Sequence, residues 1–274
     1  MIPRPAYLLY PEWQGYGVAN DVHRGAVAMA RTLFPTVDFT TIDSPLDETL
    51  TVRDGVLGLD SIATRFRTTL AALRERAPDQ IVTIGGTCGV EAAPIAYLNE
   101  RVDGDLAVVW FDAHGDLNSP ETSPSGHFHG MVLRTLAGEG PRDYVDAIPR
   151  PLQPRQIVLA GTRDLDSGES AYIRRHGIAV VDPDALRDPD AVTTAIRARG
   201  FTNVYLHLDL DCFRPDEIPD TLMRTPEGPA FDEVAAAFAS LRGNFHVAGW
   251  SLVECVERGG RSLERLKEIV QAPA

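Results

Sequence analysis

The apolar run Leu106–Phe111 stops abruptly, and Asp112, His114, Asp116 and Asn118 follow it directly. Six consecutive apolar side chains leave no face for water, so the segment fits a strand covered on both sides, as in a parallel sheet. The polar cluster then falls just past the strand's carboxyl end, where open α/β sheets place their sites. A second run repeats the arrangement: residues 204–208 lead into Asp209 and Asp211. Carboxylates gathered at the end of a buried strand repel one another and are costly to desolvate. Cations between the two clusters remove that cost. Four Asp and one His are too many ligands for one small ion and suit two bridged ions. Their donor types fit a hard or borderline divalent metal such as manganese or zinc, and two ions sharing a hydroxide form a hydrolytic device.

The rest of the chain alternates strand and helix patterns. Residues 6–10 are expected as the first strand, followed by an aromatic turn over 11–17 suited to lining a site mouth. A helix is expected from a cap at Asn20 or Asp21 through Phe34, then a strand over 37–42. Ile62, Phe66, Leu70 and Leu73 recur at helical spacing within Leu59–Arg76. A strand over 80–84 runs into Gly85-Gly-Thr-Cys-Gly89 and a helix over 90–99. No Gly-Lys-Ser/Thr or GxGxxG pattern marks that turn as a phosphate cradle; it instead sets Cys88 at another strand end, able to face the same cluster. The loop after Asn118 carries Ser125, His127 and His129 before a helix over 131–136, and its imidazoles suit proton transfer and ligand contact. A strand over 156–160 leads to Asp164, Asp166 and Glu169, which can hold a cationic substrate group or cap a helix running through Arg175. Strands over 178–181, 204–208 and 245–250 and helices over 191–199, 231–241 and 262–270 complete the series. With no linker, repeat or low-complexity break, the reading is a single domain over 1–274: three-layer α/β/α with a mostly parallel, doubly wound sheet.

A net charge of −13 argues against nucleic acid and anionic membrane partners. No apolar run reaches 18 residues and the first residues lack a signal-peptide core, so a soluble cytoplasmic protein is expected. Cys88, Cys212 and Cys255, odd in number and far apart, suggest no disulfide framework.

These segments resemble the arginase, or ureohydrolase, family. The resemblance rests on Asp112-Ala-His-Gly-Asp-Leu-Asn118, Ser125-Gly-His-Phe-His-Gly130, Gly161-Thr-Arg-Asp-Leu-Asp-Ser-Gly-Glu169, Asp209-Leu-Asp211 and Val253-Glu254, in the family's order. It implies an arginase-like fold and two Mn(II) ions bridged by Asp112 and Asp209. His114 and Asp211 would complete one ion, and Asp116 with Cys88 the other. It also implies that Glu254 orients a guanidino group and that His129 shuttles a proton, with Asp116 as relay. Asn118, Ser125 and His127 would meet a substrate α-carboxylate, and Asp166 its α-ammonium with help from Asp164 or Glu169. The partner is then a small guanidino amino acid; members of the family commonly form trimers or hexamers, and the sequence leaves the oligomer open.

The departures carry information. Cys88 stands where the family has a metal-binding histidine, His127 where it has an asparagine, and Arg214 and Ser251 where it has aspartates. A thiolate is softer than imidazole and carries a charge, whereas manganese prefers oxygen and nitrogen, so one ion is expected to be weakly held. That predicts weak activity on arginine and preference for a better-activated guanidine. The same exchange resembles family members acting on Nω-hydroxy-L-arginine in antibiotic biosynthesis, which implies hydroxyurea and L-ornithine as products. The alternatives are arginase, agmatine or formiminoglutamate hydrolysis, a single-zinc deacetylase-like enzyme that would waste Asp116 and Asp211, and a metal-poor scaffold without catalysis.

Overall fold

The computed structural model describes residues 5–17, 20–256 and 261–270. The N-terminal stretch read above for a leader begins outside these residues, as does the side chain of Asn20. Helix α1 (Asn20–Leu33) follows strand β1 (Pro5–Tyr10), with Asp21 inside its first turn and paired with Arg24. The other elements are β2 (Thr40–Thr41), β3 (Val52–Arg53), β4 (Val56–Leu57), α2 (Leu59–Arg76), β5 (Gln80–Gly85), α3 (Ala92–Arg101), β6 (Leu106–Phe111), α4 (Val132–Leu136) and α5 (Arg142–Val145). Then come β7 (Ile157–Ala160), α6 (Ser167–His176), β8 (Ala179–Val181), α7 (Ala191–Arg197), β9 (Asn203–Asp209), α8 (Phe231–Asn244), β10 (His246–Val253) and α9 (Arg261–Val270).

Eight strands form one sheet in the order β2-β1-β5-β10-β9-β6-β7-β8, and every pairing in it is parallel. Strand β6 shows why helices must cover both faces. Leu106, Val108 and Trp110 enter the core built with α2, α3, α4 and α6. Ala107, Val109 and Phe111 enter the core built with α1, α7, α8 and α9. Successive side chains on a strand point to opposite faces, so a run with no polar position needs apolar cover on each. The expected three-layer α/β/α arrangement is therefore observed. No helix among the described residues is long and apolar enough to cross a membrane.

Two local differences have physical causes. The strand expected over 37–42 shrinks to Thr40–Thr41, because Phe39 packs its ring against Tyr7 and Phe34 (5.9 and 6.0 Å between centroids) at the sheet's edge. A two-stranded hairpin, β3 with β4, was not expected. Its connection is Asp54-Gly55, both at positive φ (50° and 76°), the Asp-Gly turn that matches the twist of paired strands.

Because the strands are parallel, their carboxyl ends share one edge. The order β5-β10-β9-β6 sets Cys88, Glu254, Asp209 and Asp112 at the ends of four neighbouring strands. The pairing of β5 with β10 joins segments far apart in sequence, and it brings Glu254 to Cys88.

Candidate metal centre

The two aspartate motifs leave their strands by the same local device. Asp112 Oδ1 accepts the His114 N–H at 2.6 Å, and Asp209 Oδ1 accepts the Asp211 N–H at 2.7 Å. Each is an aspartate bonding its own backbone two residues on, which turns the chain and faces the second side chain back toward the first. The Ala113 N–H donates to Asp211 Oδ1 at 3.1 Å and ties the two turns together. His114 Nδ1 lies 3.3 Å from Asp112 Oδ1 and 3.1 Å from Asp211 Oδ2.

Two groups of potential metal donors result. Asp112, His114 and Asp211 form one; Cys88, Asp112, His207 and Asp209 form the other, and Asp112 belongs to both. Within each group the donor atoms lie within 4.8 Å of one another. In the second, Cys88 Sγ stands 3.3 Å from Asp209 Oδ2 and 3.9 Å from His207 Nε2, which is 3.6 Å from Asp112 Oδ2. Burial and the neighbouring carboxylates push Asp209 and Asp211 above the usual carboxylate range, and burial pushes the Cys88 thiol up. Against the cost of burial, hydrogen bonds to Asp112 and Asp211 raise the His114 imidazole. Groups packed this closely hold their negative charge only with protons or cations among them, and the donor set fits two divalent ions.

Asp116 lines the same cavity with Oδ2 buried and unpartnered, but belongs to neither donor group. Its backbone and that of Glu254 take positive φ, 49° and 60°, strained for residues with a side chain and a recurrent mark of functional sites. Glu254 Oε1 accepts the Cys88 N–H at 3.1 Å. Burial, with the charges of Asp211 and Asp112 nearby, pushes its carboxyl up to about 8.

Over these groups opens a cleft of about 360 Å³, within the size range of small-molecule sites. Its walls include Tyr16 from the aromatic turn, Ser125, His127 and His129 from the long loop, and Met223. The His129 ring sits 5.0 Å from that of Tyr16, with Nδ1 3.9 Å from Glu254 Oε1, and burial lowers it to about 3. His127 is half-buried beside it, 6.0 Å between ring centroids.

The residues expected at the substrate's α-end divide. Asn118 Nδ2 donates to Asp166 Oδ2 at 2.8 Å while its Oδ1 accepts from Thr122; both residues line the cleft. Glu169 also lines the cleft, while its oxygens accept the N–H groups of Leu117 (3.0 Å) and Asp166 (2.9 Å), completing a capping box at the start of α6. Asp164 is exposed, on the outer side of His114 at 3.8 Å from Nε2, and does not line the cleft.

His207, Glu91 and Trp110 were not singled out from sequence. His207 shares its strand face with Asp209, two residues on, and that parity was the available signal. Trp110 Nε1 donates to Asp112 Oδ2 at 3.1 Å.

The arginase family model matches residues 20–256. An arginase of Staphylococcus aureus is 36% identical over 179 residues, which are 63% of this chain and 59% of that protein. The N(omega)-hydroxy-L-arginine amidinohydrolase of Streptomyces lavendulae is 33% identical over 181 residues, 64% of this chain and 63% of that one. The chain thus aligns with less than two thirds of the length of either relative. Among solved structures, the arginase of Entamoeba histolytica in complex with L-ornithine superposes with a TM-score of 0.86 at 22% identity, covering 97% of each chain, a likeness of fold.

Proposed function

Because the chain belongs to the arginase family, we propose that it hydrolyses the guanidino C–N bond of a guanidino amino acid and releases ornithine. The observation that carries this reading is the sharing of Asp112 by two donor groups at the floor of a cleft sized for a small molecule. When bound, two divalent cations would lower the pKa of a water between them and so supply the nucleophile at neutral pH. Asp112, His114 and Asp211 would hold one ion, and Asp112, Asp209 and Cys88 the other, with Asp116 beside it. Manganese suits the first, all-oxygen-and-nitrogen side.

The surrounding residues supply orientation and proton transfer. Glu254, steadied by the Cys88 N–H, accepts N–H groups of the guanidino function, a charge-assisted contact that holds its carbon over the centre. Partial withdrawal from water lowers the His129 imidazole, so it rests neutral and takes up a proton only transiently on the way to the leaving amine. Asp166, oriented by Asn118, accepts from the substrate α-ammonium. Ser125 and His127 at the rim donate to its α-carboxylate.

Two observations favour Nω-hydroxy-L-arginine as the substrate, giving hydroxyurea and L-ornithine. A thiolate at Cys88 adds negative charge and weakens the electrophilic pull of the centre, so a guanidine made less basic by N-hydroxylation is the easier one to attack. The Streptomyces lavendulae relative carries that substrate in its name. Arginine is the second reading, favoured by the Staphylococcus aureus arginase at 36% identity. Steady-state ornithine release by the manganese-loaded protein tests both. A kcat/KM at least tenfold higher for the hydroxylated substrate supports the first; equal or better turnover of arginine replaces it with the second.

A further inference from the structure

Beneath the donor groups lies a buried polar layer that the reaction above does not use. Ser251, His207 and Trp110 stand side by side across β10, β9 and β6, and Glu91 enters from the turn that precedes α3. Glu91 and His207 are fully buried, and both Glu91 oxygens and His207 Nδ1 lack a well-formed hydrogen bond. The His207 ring stacks on Trp110, 3.4 Å between centroids and 7° between planes, so its orientation is fixed. Its nitrogens face opposite ways. Nδ1 is 3.4 Å from Glu91 Oε1, while Nε2 is 3.6 Å from Asp112 Oδ2 and 3.9 Å from Cys88 Sγ.

A carboxylate this deep is very costly unless a donor or cation meets it, and His207 Nδ1–H, with the Tyr205 hydroxyl, is within reach of Glu91. That pairing turns Nε2 toward Asp112 Oδ2 and Cys88 Sγ, whose thiol donates to Asp209 Oδ2 at 3.3 Å. Sulfur, imidazole nitrogen and two carboxylates thus gather their ligand atoms within 4.8 Å of one another, a set that a cation would join in place of the thiol and imidazole protons. We infer that His207, oriented by Glu91, is a ligand of the ion on the Cys88 side: position 88 offers sulfur, and the imidazole comes from the neighbouring strand. The inference rests on the two-ion reading above and names the ion's class. Metal–ligand bonds of about 2.0–2.3 Å in a tetrahedral centre give donor–donor edges of roughly 3.3–3.7 Å. Two edges here fall in that range, 3.3 and 3.6 Å, and the sulfur–nitrogen edge is slightly longer at 3.9 Å. A Cys–His–Asp–Asp set with a thiolate would favour a borderline ion such as zinc, iron(II) or cobalt(II) over manganese, four-coordinate at rest and expanding to five to take up the water. A carboxylate on the far nitrogen of a ligating histidine is the recurrent outer support of such centres, and its loss weakens metal binding about 10–100-fold.

The test is cobalt(II) titration of the full chain after chelator treatment, read by absorption. The wild type is expected to show the intense visible bands of tetrahedral cobalt and a near-ultraviolet thiolate-to-metal charge-transfer band. C88S should abolish the charge-transfer band. H207N should bleach the tetrahedral bands and weaken binding on that side by at least about 100-fold, and E91Q should keep the spectrum while weakening binding about 10–100-fold. Zinc should displace this cobalt at lower concentration than manganese does. If H207N does not fold, judged by circular dichroism, E91Q carries the test, since it leaves Nε2 in place. Unchanged spectra and affinities in both variants would overturn the inference, as would two equivalents of cobalt bound without a thiolate band. A wild type that takes up no cobalt would overturn the two-ion reading itself.

Discussion

Replacing Glu254 by glutamine should make the metal-free protein more stable and the loaded enzyme worse. The isosteric amide keeps an oxygen for the Cys88 N–H and loses only the charge. In the chelator-treated protein the Glu254 carboxyl titrates at about 8 against an ordinary value of 4.5, raised by burial and by the charges of Asp211 and Asp112. Between those values the folded state binds more protons than the unfolded one. The favourable contribution is therefore complete below about pH 4.5 and is lost as pH rises toward 8, at about 1.4 kcal/mol per pH unit for a single group. E254Q has no such loss. Urea denaturation of both proteins at pH 5.5 and pH 7.5 should show the variant's advantage growing by about 2.5 kcal/mol over that interval. With metal and substrate present the sign reverses. Losing one charge-assisted hydrogen bond, about 1.5–3 kcal/mol, lowers kcat/KM roughly 10- to 150-fold. A stability difference that stays flat with pH, or a variant less stable at pH 7.5, would refute the reasoning.

Three further perturbations separate the supports of the site. Glu169→Ala strips acceptors from the Leu117 and Asp166 N–H groups and should cost about 2–3 kcal/mol of stability by thermal or urea unfolding, with metal stoichiometry unchanged. Gly25→Ala would set a Cβ 1.8 Å from the Cys255 carbonyl oxygen, so α1 must move off the segment that carries Glu254. A loss above about 3 kcal/mol is expected, and an unchanged Tm would contradict that packing. Trp110→Phe keeps an aromatic surface for His207 but removes the indole donor to Asp112. Metal affinity measured by chelator competition should fall about tenfold or more.

The parts of the site legible in sequence were those written in short spacings. Asp112, His114, Asp209 and Asp211 follow buried strands closely, and one turn device at each strand end brings their side chains back together. Glu254 was legible only through the family resemblance, because its approach to Cys88 depends on β10 inserting between β5 and β9, an adjacency no local pattern encodes. His207 escaped notice because a histidine inside an apolar strand reads as core, and Glu91 because a glutamate near a helix start reads as a solvated first turn. Both readings fail for one reason: the two residues answer each other across the sheet face. The Asp54-Gly55 turn was also written in the sequence, but its strands are only two residues long, too short to show alternation.

The central claim is that two ions meeting on Asp112 drive guanidino hydrolysis. Its most direct measurement is ornithine release from Nω-hydroxy-L-arginine and from arginine as metal is returned to chelator-stripped protein, with bound equivalents counted alongside. Activity that is negligible without metal and climbs until two equivalents are bound is the expected result. Full turnover with one equivalent or none, or no ornithine from either substrate with both equivalents bound, would contradict it.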